Sequence, residues 1–319
     1  MIDMRPLIHH VSVINSDMKK SFEFYKHILG MKLVIKTVNQ DDREMYHLFF
    51  GNAKGSAGSE FTVFEMSGIP NRKFGNNSID RTIFKVNTEE SLDYWQKRLE
   101  AFDICHYGIE EYNNKKLLRF EDYDGTPLGL TIKNKDELAH NFHPNKTADI
   151  PIEHSILAID SVHLRIPFPK ASQKILEDLL KWKTCSKMIG FNKAETIILS
   201  NESTDLYQEV HLIHDNSAVP ETMGIGGTHH VAFSAESYGT LMGYEEWLIN
   251  YNMMSSGIKD REIFKSLYFR EANRILFEIA TEEMNHDILE NDFADVDEYP
   301  LYLPAFLEKD REKIEYNLK

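Results

Sequence analysis

Three stretches carry residue types that could hold a metal. Leu7–Val13 (LIHHVSV) contains His9 and His10, and Gly226–Phe233 (GGTHHVAF) contains His229 and His230. Arg274–Ala280 (RILFEIA) sets Glu278 in an apolar run that reads as a closing strand. Two imidazoles and one carboxylate on strands are the ligand set of a non-heme Fe(II) centre with open coordination positions. A carboxylate in a buried strand needs a partner or a metal, because burying an unpaired charge is costly. Adjacent strand residues point to opposite faces. Both members of a His pair therefore cannot ligate one metal unless the strand is distorted, and one of each pair is expected to face away.

The elements that would position these groups repeat along the chain. The first unit opens with a strand, 8–14, and a helix capped by Ser16 or Asp17 and stopped at Gly30. Met18, Phe22, Tyr25 and Leu29 give that helix one buried face. Strands are predicted at 32–38, 45–50 and 60–66, the last two joined by a Gly/Ser-rich loop. The second unit runs over 80–133, with a strand at 82–86 and a helix after Thr88 that buries Leu92, Trp95 and Leu99. A turn at Asp124-Gly125 precedes its last strand, 128–132. The third unit has a strand at 159–166 and a helix over 170–182. The fourth has a strand from Thr228, a helix over 236–251, and strands at 266–270 and 275–281. Polar residues 134–152 read as a linker, expected to be less buried than its ends. The tail, from Pro300 through Ile314, reads as a strap with a short helix.

Four strand–helix–three-strand units predict an α+β fold of four βαβββ modules forming two barrel-like cups, because one open sheet face must be covered by another. The expected domains are 1–140 and 153–290, each of two modules, followed by a tail, 291–319. His10 and His230 can share one ion only if unit one packs on unit four and unit two on unit three, or if subunits exchange units.

The chain has 319 residues, enough for two domains with real cores. Its net charge of −15 argues against a nucleic-acid surface and against an anionic membrane. Two cysteines, Cys105 and Cys185, have no metal-like spacing and exclude a disulfide framework. With no signal peptide and no membrane-length apolar run, a cytoplasmic protein is expected. A homo-oligomer is left open.

Taken in order, Ile8-His-His-Val11, Phe24-Tyr25 with Leu29-Gly30, Val38-Asn-Gln-Asp41, Tyr46-His-Leu-Phe49, Gly227-Thr-His-His-Val231, Tyr268-Phe-Arg270 and Leu276-Phe-Glu-Ile-Ala280 carry a resemblance. So does the tail, with Leu303-Pro304, Leu307-Glu308, Arg311 and Ile314-Glu315. The chain resembles the vicinal oxygen chelate superfamily (glyoxalase I, bleomycin-resistance proteins, extradiol dioxygenases). Over essentially its whole length it is similar to the two-domain ring-cleaving dioxygenases that act on hydroquinones. The resemblance implies an iron triad of His10, His230 and Glu278. It implies second-shell or substrate-contacting positions at His9, Ser12, His229, Arg261 and Tyr268, with Ser12 where relatives often have Thr. It further implies Fe(II) as cofactor, with Mn or another divalent metal able to replace it on purification, and a small aromatic substrate and O2 as partners.

The other two units serve as an internal control. Asp160 stands where a first His would be in unit three, and unit two has Arg81-Thr82 there. The His pairs are thus not a requirement of the repeat. Glu65, in Phe64-Glu-Met66, looks like the counterpart of Glu278 and is either a fourth ligand or a rim carboxylate; the rim reading is favoured. Arg261 and Tyr268 are read as groups that stabilise a developing anion or move a proton, against plain surface-charge and core-aromatic readings. Tyr46 and His47 are pocket-lining candidates, and His140, His163, His211 and His214 are read as structural or surface residues. The activity expected is O2 insertion and ring opening in quinone and aromatic detoxification. The rivals are a glyoxalase-like lyase or isomerase on a thiol adduct and a non-catalytic protein that sequesters an aromatic compound.

Overall fold

A computed structural model describes residues 6–138, 142–282 and 292–318. Module one comprises β1 (Ile8–Asn15), α1 (Met18–Phe22), β2 (Lys32–Val38), β3 (Tyr46–Gly51) and β4 (Glu60–Glu65). Module two comprises β5 (Ser78–Val86), α2 (Glu89–Ala101), β6 (His106–Tyr112), β7 (Lys115–Glu121) and β8 (Pro127–Ile132). Module three comprises β9 (Ala158–Ile166), α3 (Pro169–Asp178), β10 (Lys183–Ile189), β11 (Glu195–Ser200) and β12 (Glu209–His214). Module four comprises β13 (Gly227–Ala235), α4 (Tyr238–Asn250), β14 (Ser255–Asp260), β15 (Lys265–Arg270) and β16 (Leu276–Thr281).

The modules cross within one chain. One eight-stranded sheet runs β14-β15-β16-β13-β1-β4-β3-β2 and the other β10-β11-β12-β9-β5-β8-β7-β6. Modules four and one therefore share a curled sheet through the antiparallel pair β13–β1, and modules three and two through β9–β5. The expected domain ends at 140 and 290, the start of the tail at 291, and His140 lie outside the described residues.

Local chemistry explains the helices. Asp17 caps α1 by accepting from the Lys20 amide at 2.8 Å. Met18, Phe22, Tyr25 and Leu29 are all buried, as their spacing predicts, although the helix continues from Glu23 to Ile28 in a wider π form. Gly30 ends it at φ +72°, where a Cβ would also meet Ile150 Cδ1 at 2.5 Å. The helix of module three stops at Asp178, short of the expected Trp182. Lys181 turns the chain at φ +59°, and Trp182 enters the core with its indole donating to the Pro6 carbonyl at 3.0 Å.

One apolar core joins the two sheets to their helices through Phe22, Trp95, Leu176 and Leu241. Each such side chain contributes roughly 1.5–3 kcal/mol by leaving water. The segment 134–152 joins β8 to β9 largely along the surface, as its polarity predicts, but is anchored in the core at three described residues. Glu137 is 3 % exposed, and Phe142 and Ile150 are buried, whereas Ile152 at the end is 45 % exposed. The buried ion pair of Glu137 with Lys85, at 2.6 Å, supplies the reason. In the tail, Leu303, Leu307 and Ile314 pack on Val38 as a strap. Among the described residues no helix is long and apolar enough to cross a membrane.

Candidate metal centre

The central pair β1–β13 carries two one-residue bulges, and both fall on histidines. Ile8 pairs with Phe233 and His10 with Ala232, so His9 is the extra residue on β1. Ser12 pairs with His230 and Val13 with Thr228, so His229 is the extra residue on β13. A bulge breaks strict alternation. His9 and His229 consequently do not turn away from their neighbours as expected. His9 Nδ1 lies 3.1 Å from His10 Nδ1, and His229 Nδ1 lies 2.8 Å from His230 Nδ1. Each inner imidazole is thus held at its back nitrogen, which leaves Nε2 pointing forward.

Those two forward nitrogens meet Glu278. His10 Nε2 and His230 Nε2 are 3.3 Å apart, and Glu278 Oε2 lies 3.2 Å from the first and 2.8 Å from the second. All three residues are buried. Oε2 has no hydrogen-bond donor in proper geometry, although Ser266 donates to Oε1. Three ligand-type atoms face one another, and of these Oε2 has no hydrogen-bond partner. Cis ligands at right angles around a metal with bonds of roughly 2.1 Å are about 3.0 Å apart, so this set fits one face of an octahedral ion.

The surroundings hold His230 and Glu278 in ligand-competent states. Burial lowers the His230 pKa, an effect that Glu278 only partly offsets. Burial alone would raise Glu278, yet the His10 and His230 imidazoles hold it well below the usual carboxylate range. Burial, then the neighbouring imidazole, pushes His9 and His229 down to about 3. Behind His9, Glu60 Oε2 lies 3.4 Å from its Nδ1, and burial pushes that carboxyl up to about 7. Ser12 Oγ contacts His230 Nε2 at 2.9 Å and Thr62 Oγ1 at 2.7 Å, and Thr62 Oγ1 meets His47 Nε2 at 2.9 Å.

A cavity of about 280 Å³ opens in front of His230. Phe49, Phe64 and Phe264 line it with apolar rings. Arg261 and Tyr268 stand together on its wall, the guanidinium carbon 5.6 Å from the phenol ring centroid. Asp41 holds Arg261 with both oxygens, at 2.6 and 3.3 Å. Burial raises the Tyr268 pKa and nearby Glu278 raises it further, so the phenol keeps its proton.

Glu65 is not brought to this cluster. It accepts the Met18 amide at 2.9 Å and so caps the start of α1. Register explains the mistaken equivalence. Ala232 pairs with Glu278 across β13–β16, and the matching residue Ser12 pairs with Thr62 across β1–β4. Thr62, not Glu65, is the counterpart of Glu278. His47 lines the cavity, whereas Tyr46 does not and instead lies under the Lys36 ammonium, 5.6 Å from its ring centroid. Sequence reasoning missed Thr62, Glu60 and Phe264. Glu60 and Thr62 alternate on the predicted strand with Phe61 and Val63, a polar face that signalled a lined cup.

Comparison with known proteins agrees with this architecture. Residues 7–130 match the model of the Glyoxalase/Bleomycin resistance protein/Dioxygenase superfamily. The chain is 36 % identical over 315 residues to MhqA of Bacillus subtilis strain 168, a protein provisionally named a ring-cleaving dioxygenase, covering 98 % of both chains. It is 23 % identical over 286 residues to the chlorohydroquinone/hydroquinone 1,2-dioxygenase of Sphingobium indicum, covering 88 % of this chain and 87 % of that one. A crystal structure of a provisionally assigned dioxygenase from Bacillus subtilis superposes with a TM-score of 0.83 at 26 % identity, over 98 % of this chain and 96 % of that one.

Proposed function

The chain belongs to the glyoxalase/bleomycin resistance protein/dioxygenase superfamily, and on that premise we propose that it is a metal-dependent dioxygenase that cleaves the ring of a hydroquinone-type aromatic. One observation carries the reading: His10 Nε2, His230 Nε2 and Glu278 Oε2 converge within 3.3 Å while Oε2 lacks a donor. These three residues hold a divalent ion, with Fe(II) the best match to two imidazoles and one carboxylate on a single face. When bound, such an ion supplies a Lewis-acid centre and the electron transfer that lets triplet O2 react with a closed-shell ring.

The protein supplies orientation and charge. A para-diol offers only one ring oxygen to the triad, so its distal hydroxyl needs protein partners. The aromatic walls accept a flat ring, and Arg261, steered by Asp41, places a fixed positive charge where an anion develops. Tyr268, kept protonated, donates a hydrogen bond or a proton to the reacting oxygens. His9 and His229 hold the two ligating imidazoles in one tautomer. The product is a ring-opened muconic semialdehyde or acid that retains both atoms of O2. A role in quinone and hydroquinone detoxification in a reducing cytoplasm fits the two exposed, unpaired cysteines, Cys105 and Cys185.

Thr62 weighs against the glyoxalase-like alternative, because a hydroxyl stands where a second carboxylate would complete a four-ligand set. The test is anaerobic loading with Fe(II) followed by O2-uptake measurements on a panel of hydroquinones, catechols and thiol adducts. Stoichiometric uptake on a hydroquinone supports the proposal. Turnover of a thiol adduct without O2 would replace it with the lyase reading.

A further inference from the structure

The second cup repeats the backbone of the first and replaces its chemistry. Across β5–β9, Ile79 pairs with Leu164 and Arg81 with His163, while Ile83 pairs with Ser161 and Phe84 with Ile159. The extra residues are Asp80 and Asp160, at the same places as His229 and His9 in the first cup. Counting from these bulges puts Arg81 where His230 stands and Ser161 where His10 stands. Ile83 pairs with Gly129 as Ala232 pairs with Glu278, so a glycine replaces the carboxylate. No metal-ligand set survives at these three positions. A guanidinium, a permanent cation, takes one of them.

Arg81 faces a cavity of about 240 Å³ and is only 8 % exposed. The other arginines lining that cavity have carboxylate partners. Arg72 pairs with Glu221 at 3.2 Å, Arg119 with Glu110 at 2.6 Å and Arg165 with Asp80 at 2.7 Å. Among the described residues no carboxylate lies within 4.0 Å of Arg81. Its Nη1 donates only to the Phe120 and Leu128 carbonyls, at 3.2 and 2.6 Å. Glu121 also lines the cavity but accepts the Tyr107 hydroxyl at 2.6 Å. Asp80 and Glu121 act on Arg81 only at longer range, so this buried cation has no directly bonded counter-charge, and an anion entering the cavity would supply one.

The walls define the rest of the ligand. Tyr112 stacks on Phe191 at 4.9 Å and 13°, and on His163 at 5.4 Å and 27°. Arg119 lies 4.0 Å over the Phe191 ring. These rings stack on one another and so give the cavity a rigid apolar wall whose edges can meet a ligand's ring, and a guanidinium suits a carboxylate, which it can bind through two parallel hydrogen bonds.

We propose that the cup formed by modules two and three is a second binding site, for a small aromatic or conjugated carboxylate held by Arg81 against the Tyr112–Phe191 wall. The site is separate from the metal centre and does not depend on the dioxygenase reading.

Calorimetric titration of the full chain with benzoate tests it, with benzamide as the uncharged analogue. Benzoate should bind one site per chain and keep that affinity in His230→Ala, which alters only the first cup. Affinity should fall about tenfold or more both for benzamide and in Arg81→Met. Because Arg81 also bonds two backbone carbonyls, that variant risks misfolding. Anomalous diffraction from wild-type crystals grown with 4-iodobenzoate provides an independent readout, and the iodine should lie in the second cup. Equal binding of benzamide, loss of binding in His230→Ala, unchanged binding in folded Arg81→Met, or iodine found only elsewhere would overturn the proposal.

Discussion

Thr62 and Glu278 occupy matching positions in the two halves of one sheet: Thr62 pairs with Ser12 as Glu278 pairs with Ala232. The proposed triad is therefore open on the Thr62 side, where a hydroxyl contacts Ser12 and His47 rather than completing a four-ligand set. Thr62→Glu should add a fourth ligand. Metal content should persist in that variant while O2-dependent turnover falls by about tenfold or more, because an open position is taken. Metal analysis alongside oxygen-electrode rates checks this, and undiminished turnover with metal bound would contradict it.

The positioning role of His9 predicts a different signature. His9→Ala removes the partner of His10 Nδ1 and leaves Glu60 with an empty neighbour. Loss of such a supporting contact typically costs about 10–100-fold in metal affinity. Chelator competition should find that weakening with the fold intact by circular dichroism. Unchanged affinity would make His9 a packing residue only.

Much of this arrangement was legible in the chain because its key residues lie in repeated, strongly patterned strands. His10, His230 and Glu278 stand out since two HHV strands recur and Glu278 interrupts an apolar run. The crossed pairing was one of two arrangements those residues allowed, as both imidazoles can reach one ion only if modules one and four pack together or subunits exchange modules. The bulges at His9 and His229 were not legible, because a bulge is set by register against a partner strand. The same limit misplaced Glu65. Phe64-Glu65 imitates Phe277-Glu278 in sequence, whereas the register aligns Phe61-Thr62 with Phe277-Glu278. The anchoring of the linker was not legible, because Glu137 looks like a surface charge until Lys85 is found beside it.

Tyr268 and Arg261 should act on turnover rather than on metal binding. Tyr268→Phe keeps the ring that packs 5.9 Å from His230 but removes the proton donor. Its kcat should drop by about 10²-fold or more with metal content unchanged, in the range usual for a lost general acid. A variant with wild-type kcat would reduce Tyr268 to a wall of the cavity.

Acidification should release the metal later than two exposed imidazoles would. Protons compete with a metal for neutral His and ionised Glu. Burial holds the His230 pKa below its ordinary value of 6.5, and the flanking imidazoles hold Glu278 well below the usual carboxylate range. Both ligands therefore remain in the metal-binding form as pH falls through 6.5, and release should come only further into acid. Metal retention after gel filtration at stepped pH values measures this. Full release centred near 6.5 would mean that burial does not protect the site.

The most direct test of the central claim is the iron stoichiometry of four proteins loaded anaerobically and desalted: the wild type, His10→Ala, His230→Ala and Glu278→Gln. Shared coordination predicts one Fe(II) per chain in the wild type and near-zero iron in each variant, with the circular dichroism spectrum preserved. Full iron retention in folded His10→Ala and His230→Ala would contradict the single-ion triad.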